Sequence, residues 1–360
     1  QSSAVTLASG ATLDLNGFAQ TAKQLSGAGN VTLGSGALTA EIATAATLSG
    51  TISGSGSVTK TGVGDWTLSG NNSYSGGTTI SAGHLIADNG NALGTNTVSI
   101  TNAAELELRF DADGTLANVL SGDGALNKTG AGNTTLTGVN SSVGSVSVTA
   151  GALSLGQTGM FSAGSYTTAA NATTSIGADA QLTVSGAFTQ GASAILNTAI
   201  GAGNQPIITA NMAALDGTLN VTGFSGSAAT SASGLTSSQV TLIETTNGIT
   251  GDFASVNLGS GGSTLDYVTL AGGKSSDNKT YTVGFGLTWL AGASAGNGVF
   301  TLTNPTDSFN VDLALADQTG TFSSGWNGRA LTKEGEGTLI LSAANTYTGD
   351  TIVNGGILQA

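Results

Sequence analysis

The sequence predicts an all-β protein folded as a right-handed parallel β-helix, or β-solenoid. Three observations carry this prediction: a composition poor in helix formers, short segments of alternating apolar and polar residues, and an internal repeat. Of 360 residues, 57 are Gly and only 8% are charged, whereas ordinary domains contain about 7% Gly and about 25% charged residues. Gly costs about 1 kcal/mol at a helix position, while Thr and other β-branched residues favour strands.

The internal repeat consists of three segments that align without a gap, at residues 58–85, 126–153 and 331–358. Each copy contains a Lys-x-Gly-x-Gly signature, and the three lysines are Lys60, Lys128 and Lys333. Alternation places apolar pairs such as Trp66 and Leu68 on one face of a strand. No helical pattern long enough for a crossover lies between the strands, which leaves a sandwich, an antiparallel barrel or a β-solenoid. Repeats of equal length with Gly at fixed positions favour the solenoid.

The chain is predicted to have three regions. Residues 1–155 form β-helix coils with the first two copies of the repeat, and residues 326–360 form coils with the third. Residues 156–325 contain most of the aromatic residues and lack the Lys-x-Gly-x-Gly signature, although strand-like alternation continues. We interpret this middle region as further coils with irregular loops, and a separate β-domain is the alternative.

The three copies resemble the passenger-associated transport repeat of AIDA-type autotransporter passengers. That pattern runs L-x-K-x-G-x-G-x-L-x-L-x-G-x-N-x-Y-x-G-x-T. The third copy follows it from Leu331 through Thr351, with Ser342 in place of one Gly, and the first copy follows it from Val58 to Thr78. The second copy departs from the pattern after Asn140.

The resemblance implies a β-helical passenger that is exported across the outer membrane to the bacterial cell surface or the extracellular space. It also implies a C-terminal outer-membrane β-barrel of the same polypeptide, which we expect to lie outside these residues. Many such passengers mediate bacterial aggregation, biofilm formation or attachment to host surfaces.

The residue types present argue against several functions. The net charge is −13 and the eight basic residues are scattered, so nucleic acid is not an expected partner. One His and no Cys cannot supply the usual zinc ligands. His84 is expected to point to solvent, because Leu85 is the inward residue of its strand. We therefore predict no catalytic residue, no cofactor, no metal and no enzymatic activity.

Two carboxylates are the best candidates for chemistry. In the segment Glu105–Asp113, alternation places Glu105, Glu107 and Arg109 on one strand face. A carboxylate or cation site is one interpretation, and a solvated face with a local ion pair is the one we favour. The rival function is a polysaccharide-active β-helix enzyme that uses Glu105, Glu107, Asp111 or Asp113 for acid–base work.

The predicted function is adhesion through many weak contacts along a β-helical rod, in which avidity supplies the affinity. The expected partners are identical passengers on neighbouring cells, or glycans and proteins of a host surface. Tyr267 and Trp326 lie beside Gly-rich or polar loops and are candidates for exposed rings that stack on sugars. Together with Glu105 and Glu107 they are the candidate residues of an interaction surface. A passive stalk that presents a missing N-terminal domain is a further alternative.

Overall fold

The computed structural model describes residues 3–157, 159–200, 205–222, 229–237, 239–258, 265–292 and 295–360. The chain forms two compact units, one from Gln1–Asn220 with Ile243–Ser255 and the other from Val221–Leu242 with Val256–Ala360. The division between the units falls inside the region predicted to span residues 156–325.

Nearly all of the regular structure is short β-strands. The strands before residue 223 are β1 Val5–Leu7, β2 Thr12–Asp14, β3 Gln20–Lys23, β4 Leu25–Gly27, β5 Asn30–Thr32, β6 Leu38–Glu41, β7 Ala46–Leu48, β8 Ile52–Ser53, β9 Val58–Thr61, β10 Asp65–Leu68, β11 Thr78–Ile80, β12 Gly83–Ala87, β13 Val98–Ile100, β14 Ala104–Leu108, β15 Gly114–Leu116, β16 Leu120–Ser121, β17 Ala125–Lys128, β18 Asn133–Leu136, β19 Ser142–Val148, β20 Ala152–Leu155, β21 Gly159–Thr168, β22 Thr173–Ile176, β23 Ala180–Gln190, β24 Ile195–Ala199, β25 Ile208–Leu215 and β26 Thr218–Thr222. The later elements are helix α1 Ala232–Ser237, β27 Val240–Thr245, β28 Ile249–Gly251, β29 Ser255–Asn257, β30 Val268–Lys274, β31 Thr280–Leu287, a 3₁₀ turn Thr288–Leu290, β32 Val299–Thr301, β33 Ser308–Val311, β34 Leu331–Glu334, β35 Thr338–Leu341, β36 Thr351–Val353 and β37 Ile357–Gln359.

The first unit is a stack of coils whose strands pair in parallel with the equivalent strands of neighbouring coils. The long sheet has the strand order β1-β4-β7-β10-β12-β14-β17-β19-β21-β23-β25. The threonine sheet has the order β3-β6-β9-β11-β13-β16, and the serine–asparagine sheet has the order β15-β18-β20-β22-β24-β26. Strands β2, β5 and β8 form a further small sheet. This arrangement confirms the predicted parallel β-solenoid.

Each coil contains about twenty residues. His84 pairs with Asp65 of the preceding coil and with Glu105 of the following one, at offsets of 19 and 21 residues. The registers stack inward side chains directly on one another, and one such column comprises Leu85, Leu106, Leu126 and Val146. All four are buried. Burial of a side chain of this size contributes about 1.5–3 kcal/mol, so apolar columns stabilise the stack.

The lysines of the repeat are an exception to the apolar interior, because each faces inward and has no exposed surface. Lys60 stacks between Ala40 and Ile80 in the threonine sheet. Lys128 stacks between Leu108 and Val148 in the long sheet. A fully buried lysine is rare and requires partners for its charge.

The second unit combines parallel strand pairs with one antiparallel hairpin. Its parallel sheets have the orders β32-β34-β36 and β33-β35-β37. The hairpin β30–β31 is antiparallel, which departs from the parallel pairing predicted for the whole chain. Its turn is closed by the Ser275 hydroxyl, which donates to Asp277 at 2.6 Å, and by Asn278 at φ 55°. Asn tolerates this left-handed conformation better than most residues.

The core of the second unit is aromatic. Tyr267, Trp289, Phe300 and Phe309 are buried together with aliphatic residues of β34 and β35. Within the described residues, no helix has the length and apolar character needed to cross a membrane.

Candidate functional site

The residues that define the repeat point into the solenoid and bond to neighbouring coils. The side chain of Asn72 accepts a hydrogen bond from the backbone N–H of Ile52 at 2.7 Å and donates to the carbonyl of Ala92 at 2.5 Å. It thus connects the coil before with the coil after. Tyr74 lies 2.6 Å from the hydroxyl of Thr78, and burial raises the pKa of Tyr74 above its ordinary value.

The third copy keeps the bond that the Asn accepts and the contact between Tyr and Thr, but the Asn345 amide donates to the carbonyl of Ala343 in its own coil. Asn345 accepts from the backbone N–H of Leu315 at 2.9 Å, and Tyr347 lies 2.7 Å from the hydroxyl of Thr351. The shared Asn therefore bonds to a neighbouring coil in both copies, whereas the contact between Tyr and Thr lies within one coil. In the first copy all three are buried, so they offer no surface to a partner.

The outward positions of the threonine sheet form a continuous row of hydroxyl groups, which we name the hydroxyl ladder. Each member pairs in register with the next, one coil further along the stack. The ladder consists of Thr21, Thr39, Thr59, Thr79, Ser99 and Ser121. Its regularity follows from alternation, since Val58 and Lys60 face inward and Thr59 between them faces outward.

A second row of neutral polar groups, named here the polar ladder, follows the serine–asparagine sheet through Thr135, Ser154, Ser175, Asn197 and Asn220. Asn220 donates to the amide oxygen of Asn197 at 2.8 Å, and Asn197 donates to the hydroxyl of Ser175 at 3.1 Å. Hydroxyl and amide groups both donate and accept hydrogen bonds. Such rows can therefore bind a partner rich in hydroxyl or amide groups without depending on its charge.

The charged candidates Glu105 and Glu107 come together with His84 and Asp65 on the outward face of the long sheet. We name these four residues the acidic cluster. The Nδ1 atom of His84 lies 3.4 Å from Asp65 Oδ1, and its Nε2 atom lies 3.1 Å from Glu107 Oε2 and 3.7 Å from Glu105 Oε1. His84 lies on the outward face, as alternation predicts, but its side chain is only 22% exposed because these carboxylates flank it.

Neighbouring coils hold the carboxylates in place. Asn127 donates to Glu105 at 3.2 Å, and the hydroxyl of Thr129 donates to Glu107. Arg109 pairs with Asp88 of the preceding coil at 2.9 Å, which is the kind of local ion pair expected for this face. No three acidic or histidine side chains of the described residues are arranged to hold a metal ion.

The sequence did not reveal that His84 belongs with Glu105 and Glu107. The three are separated by about one coil of chain, and they meet because the coil after His84 has 21 residues. Knowledge of that coil length would have placed His84 opposite Glu105.

The two aromatic candidates lie in different surroundings. Tyr267 is only 3% exposed and packs against Phe300 and Phe309, with ring centroids 5.5 and 4.9 Å apart. Its position corrects the expectation of an exposed ring, and the physical reason is that Phe300 and Phe309 fill the space beside it. Burial and the charges of Asp266 and Asp307 raise the pKa of Tyr267 to about 12.

Trp326 is half-buried and lies between core and surface. It packs edge-on against Trp289 at 4.6 Å and against Phe322 at 4.9 Å, and its indole N–H donates to the carbonyl of Ala330 at 2.6 Å. Part of the ring is exposed, so Trp326 remains a candidate for surface contacts.

These features define a class of protein, a repeat-built parallel β-solenoid whose repeat lysines are internal and whose outward faces are largely polar. The passenger-associated-transport-repeat family matches residues 58–87, 126–155 and 331–360, which confirms the three copies identified in the sequence. The three matches are those of an autotransporter passenger with passenger-associated transport repeats. This family implies export to the cell surface or the extracellular space. A comparison with curated proteins gave no match.

Proposed function

We propose that the chain is an adhesin on the bacterial cell surface that binds through its outward polar rows, and that it acts in aggregation, biofilm formation or attachment to host surfaces. The observation that carries this proposal is the hydroxyl ladder, which places the same chemical group, a hydroxyl, on the outward face of six consecutive coils. A regular neutral row suits a regular neutral partner, such as a glycan or the same row of another passenger.

The energetics favour many contacts over one strong contact. A hydrogen bond that replaces contacts with water contributes about 0.5–1.5 kcal/mol, so no single threonine supplies useful affinity. Rows on many passengers, displayed together on one cell, add such contacts by avidity. The low charge content limits electrostatic repulsion between facing rows, although the net charge of −13 opposes close approach at low salt.

A settling assay with two fluorescently labelled bacterial populations tests self-association. One population displays the full-length protein, and the other either displays it or does not. Mixed clumps that form only when both populations display the protein support contact between passengers. If neither clumping, biofilm nor surface binding exceeds that of cells lacking the protein, the adhesin function is rejected.

A pair of variants locates the contact. Thr59→Lys with Thr79→Lys places two charges on the hydroxyl ladder. Ser147→Lys with Thr167→Lys makes the same charge change at outward positions of the long sheet. Loss of clumping with the first pair alone identifies the ladder, whereas equal loss with both pairs shows a general charge effect and removes the ladder from the proposal.

A polysaccharide-active enzyme is the second candidate, and the observation that favours it is His84 within 3.1 Å of Glu107. A histidine beside carboxylates can transfer protons. Release of reducing ends or unsaturated sugars from a panel of polysaccharides, abolished by Glu107→Gln, would support this function. Absence of any release by the displayed wild-type protein would reject it.

A further inference from the structure

The buried lysines of the three copies share two hydrogen-bond acceptors, and two of the lysines share a third. The ammonium of Lys60 donates to the carbonyls of Thr61 at 3.0 Å, Gly62 at 2.7 Å and Ala82 at 3.1 Å. These acceptors lie 1, 2 and 22 residues after the lysine.

Lys333 has acceptors at the same three offsets, the carbonyls of Glu334 at 2.6 Å, Gly335 at 2.9 Å and Gly355 at 3.2 Å. Lys128 donates to Gly130 and, at 3.4 Å, to Ala150, which are the acceptors at offsets 2 and 22. We name this arrangement the carbonyl cage. One ammonium group has three donors, so three carbonyls use its full hydrogen-bonding capacity.

The direct partners of the buried charge are carbonyl oxygens, and no carboxylate of the described residues forms an ion pair with it. The ion pairs found among the described residues involve His84, Arg109 and Arg329 and none of the three lysines. Burial lowers the pKa of Lys60 to about 8, and the charge of Asp65 opposes part of that change. Burial also lowers the pKa of Lys128 and of Lys333.

The shared glycines shape the cage. Gly62 has φ 77°, and Gly83, which follows the third acceptor, has φ 66°. A Cβ atom at Gly62 would lie 2.4 Å from the carbonyl oxygen of Ile42. Glycine is therefore required at these corners both for its backbone conformation and for the close approach of the preceding coil.

The cage is not tied to one face of the solenoid. Lys60 lies on β9 of the threonine sheet, and the next strand, β10, belongs to the long sheet. Lys128 lies on β17 of the long sheet, and the next strand, β18, belongs to the serine–asparagine sheet. The second copy is thus shifted round the coil by one face, yet it forms the same bonds to the carbonyls at offsets 2 and 22.

From this we infer that each repeat is a two-coil lock, in which one buried ammonium ties the corner of its own coil to the equivalent corner of the next coil, on whichever face the repeat falls. The matched span 58–87 contains both corners and the strand that follows each of them. The inference does not depend on adhesion, and it assigns the repeat's lysine a structural partner rather than an external ligand.

The lock has a direction. Every acceptor lies C-terminal to the lysine, so the coil that carries the lysine depends on the coil after it, and the preceding coil contributes no acceptor. Removal of the ammonium should therefore loosen the lysine's coil and the following one, and leave the preceding coil protected.

Hydrogen–deuterium exchange on the full chain tests the lock with Lys60→Met, which keeps the apolar stem and removes the donors. We expect exchange about tenfold faster at corners 61–64 and 82–84, with little change at residues 40–43. The matched control is Ile80→Met, an apolar exchange at the next inward position of the same column. Unchanged exchange at both corners, or an equal rise in the preceding coil, would overturn the inference.

The second repeat provides an independent comparison. Lys128→Met should affect corners 129–132 and 150–152 in the same way, although its strand lies in a different sheet. An effect of Lys60→Met that Lys128→Met does not reproduce would refute the claim that the lock works on either face.

Amine labelling of the wild-type protein covers the case in which neither variant folds. A water-soluble acylating reagent should modify the exposed Lys23 and leave Lys60, Lys128 and Lys333 unmodified until the protein unfolds. Labelling of the three buried lysines at the rate of Lys23 would refute the cage.

Discussion

The coils of the first repeat and the coils around residues 166–198 bury polar side chains in opposite ways. In the repeat, Lys60, Asn72 and Thr78 each bond to the backbone of a neighbouring coil. In the later coils, Gln190 is 3% exposed, and neither its amide nitrogen nor its oxygen has a hydrogen-bond partner among the described residues. The same parallel stack thus contains buried polar groups that connect coils and others, such as Gln190, that do not.

The later coils satisfy other buried hydroxyls among themselves. Thr168 lies 2.7 Å from the hydroxyl of Thr174, which also lies 3.1 Å from Tyr166. These bonds remain within one coil, at sequence separations of 6 and 8 residues. We infer that a buried polar residue stabilises the stack when its side chain bonds to the backbone of the next coil. The repeat places such residues at Lys60, Asn72 and Thr78.

The largest expected effect on the free energy of unfolding comes from substitutions where neighbouring coils of the repeat approach closely. A Cβ atom at Gly130 would lie 2.2 Å from the carbonyl oxygen of Phe110, whereas one at Gly177 would lie 3.3 Å from its nearest neighbour, the carbonyl oxygen of Leu155. We expect Gly130→Ala to lower the free energy of unfolding by about 3 kcal/mol and Gly177→Ala by less than about 1 kcal/mol. Denaturant unfolding of both variants measures this difference, and equal losses would contradict the closer packing assigned to the repeat.

A second pair of variants should change stability in opposite directions. Gln190→Leu removes an amide without a protein partner, so we expect the free energy of unfolding to rise by about 1 kcal/mol. Asn72→Leu leaves the Ile52 N–H without its acceptor and should lower it by about 2 kcal/mol. A loss of stability with Gln190→Leu would contradict the contrast and would indicate that ordered water bonds the amide.

The smallest expected effect is a change of stability with pH that is due to the buried Lys60. Lys60 has a pKa of about 8 in the folded protein against an ordinary 10.5, so the unfolded chain binds more protons between these values. Stability contributed by this group therefore rises as pH increases through that window. We expect the denaturation midpoint to increase from pH about 8 toward pH about 10 in the wild type, and to increase less in Lys60→Met.

The buried tyrosines set the highest pH at which the effect of Lys60 can be measured. Burial raises the pKa of Tyr74 and Tyr166 above the ordinary value of 10.0. Above that pH the unfolded tyrosines ionise and the folded ones do not, so stability falls. A midpoint that decreases from pH about 8 in the wild type would contradict a lowered pKa for the caged lysine.

Alternation in the sequence was sufficient to place most residues inside or outside. Alternation also predicts that Lys60 faces inward, because Lys60 lies two residues after the inward Val58. A charged residue is rarely buried, and composition alone gives no sign of the carbonyls that make its burial possible. Tyr267 shows the reverse case, since a polar neighbourhood in sequence suggested exposure and the ring lies in an aromatic core.

The sequence by itself determined the parallel β-solenoid and the positions of its three repeats, because both follow from local alternation and from similarity between segments. The tertiary structure decided which residues meet across coils: the carbonyl 22 residues from each caged lysine, and Glu105 opposite His84. The physical reason is that the register between strands of neighbouring coils depends on the number of residues in every turn between them. A shift of one residue in a strand moves every side chain to the opposite face. The contacts between coils therefore depend on the number of residues in each coil, which no local pattern specifies.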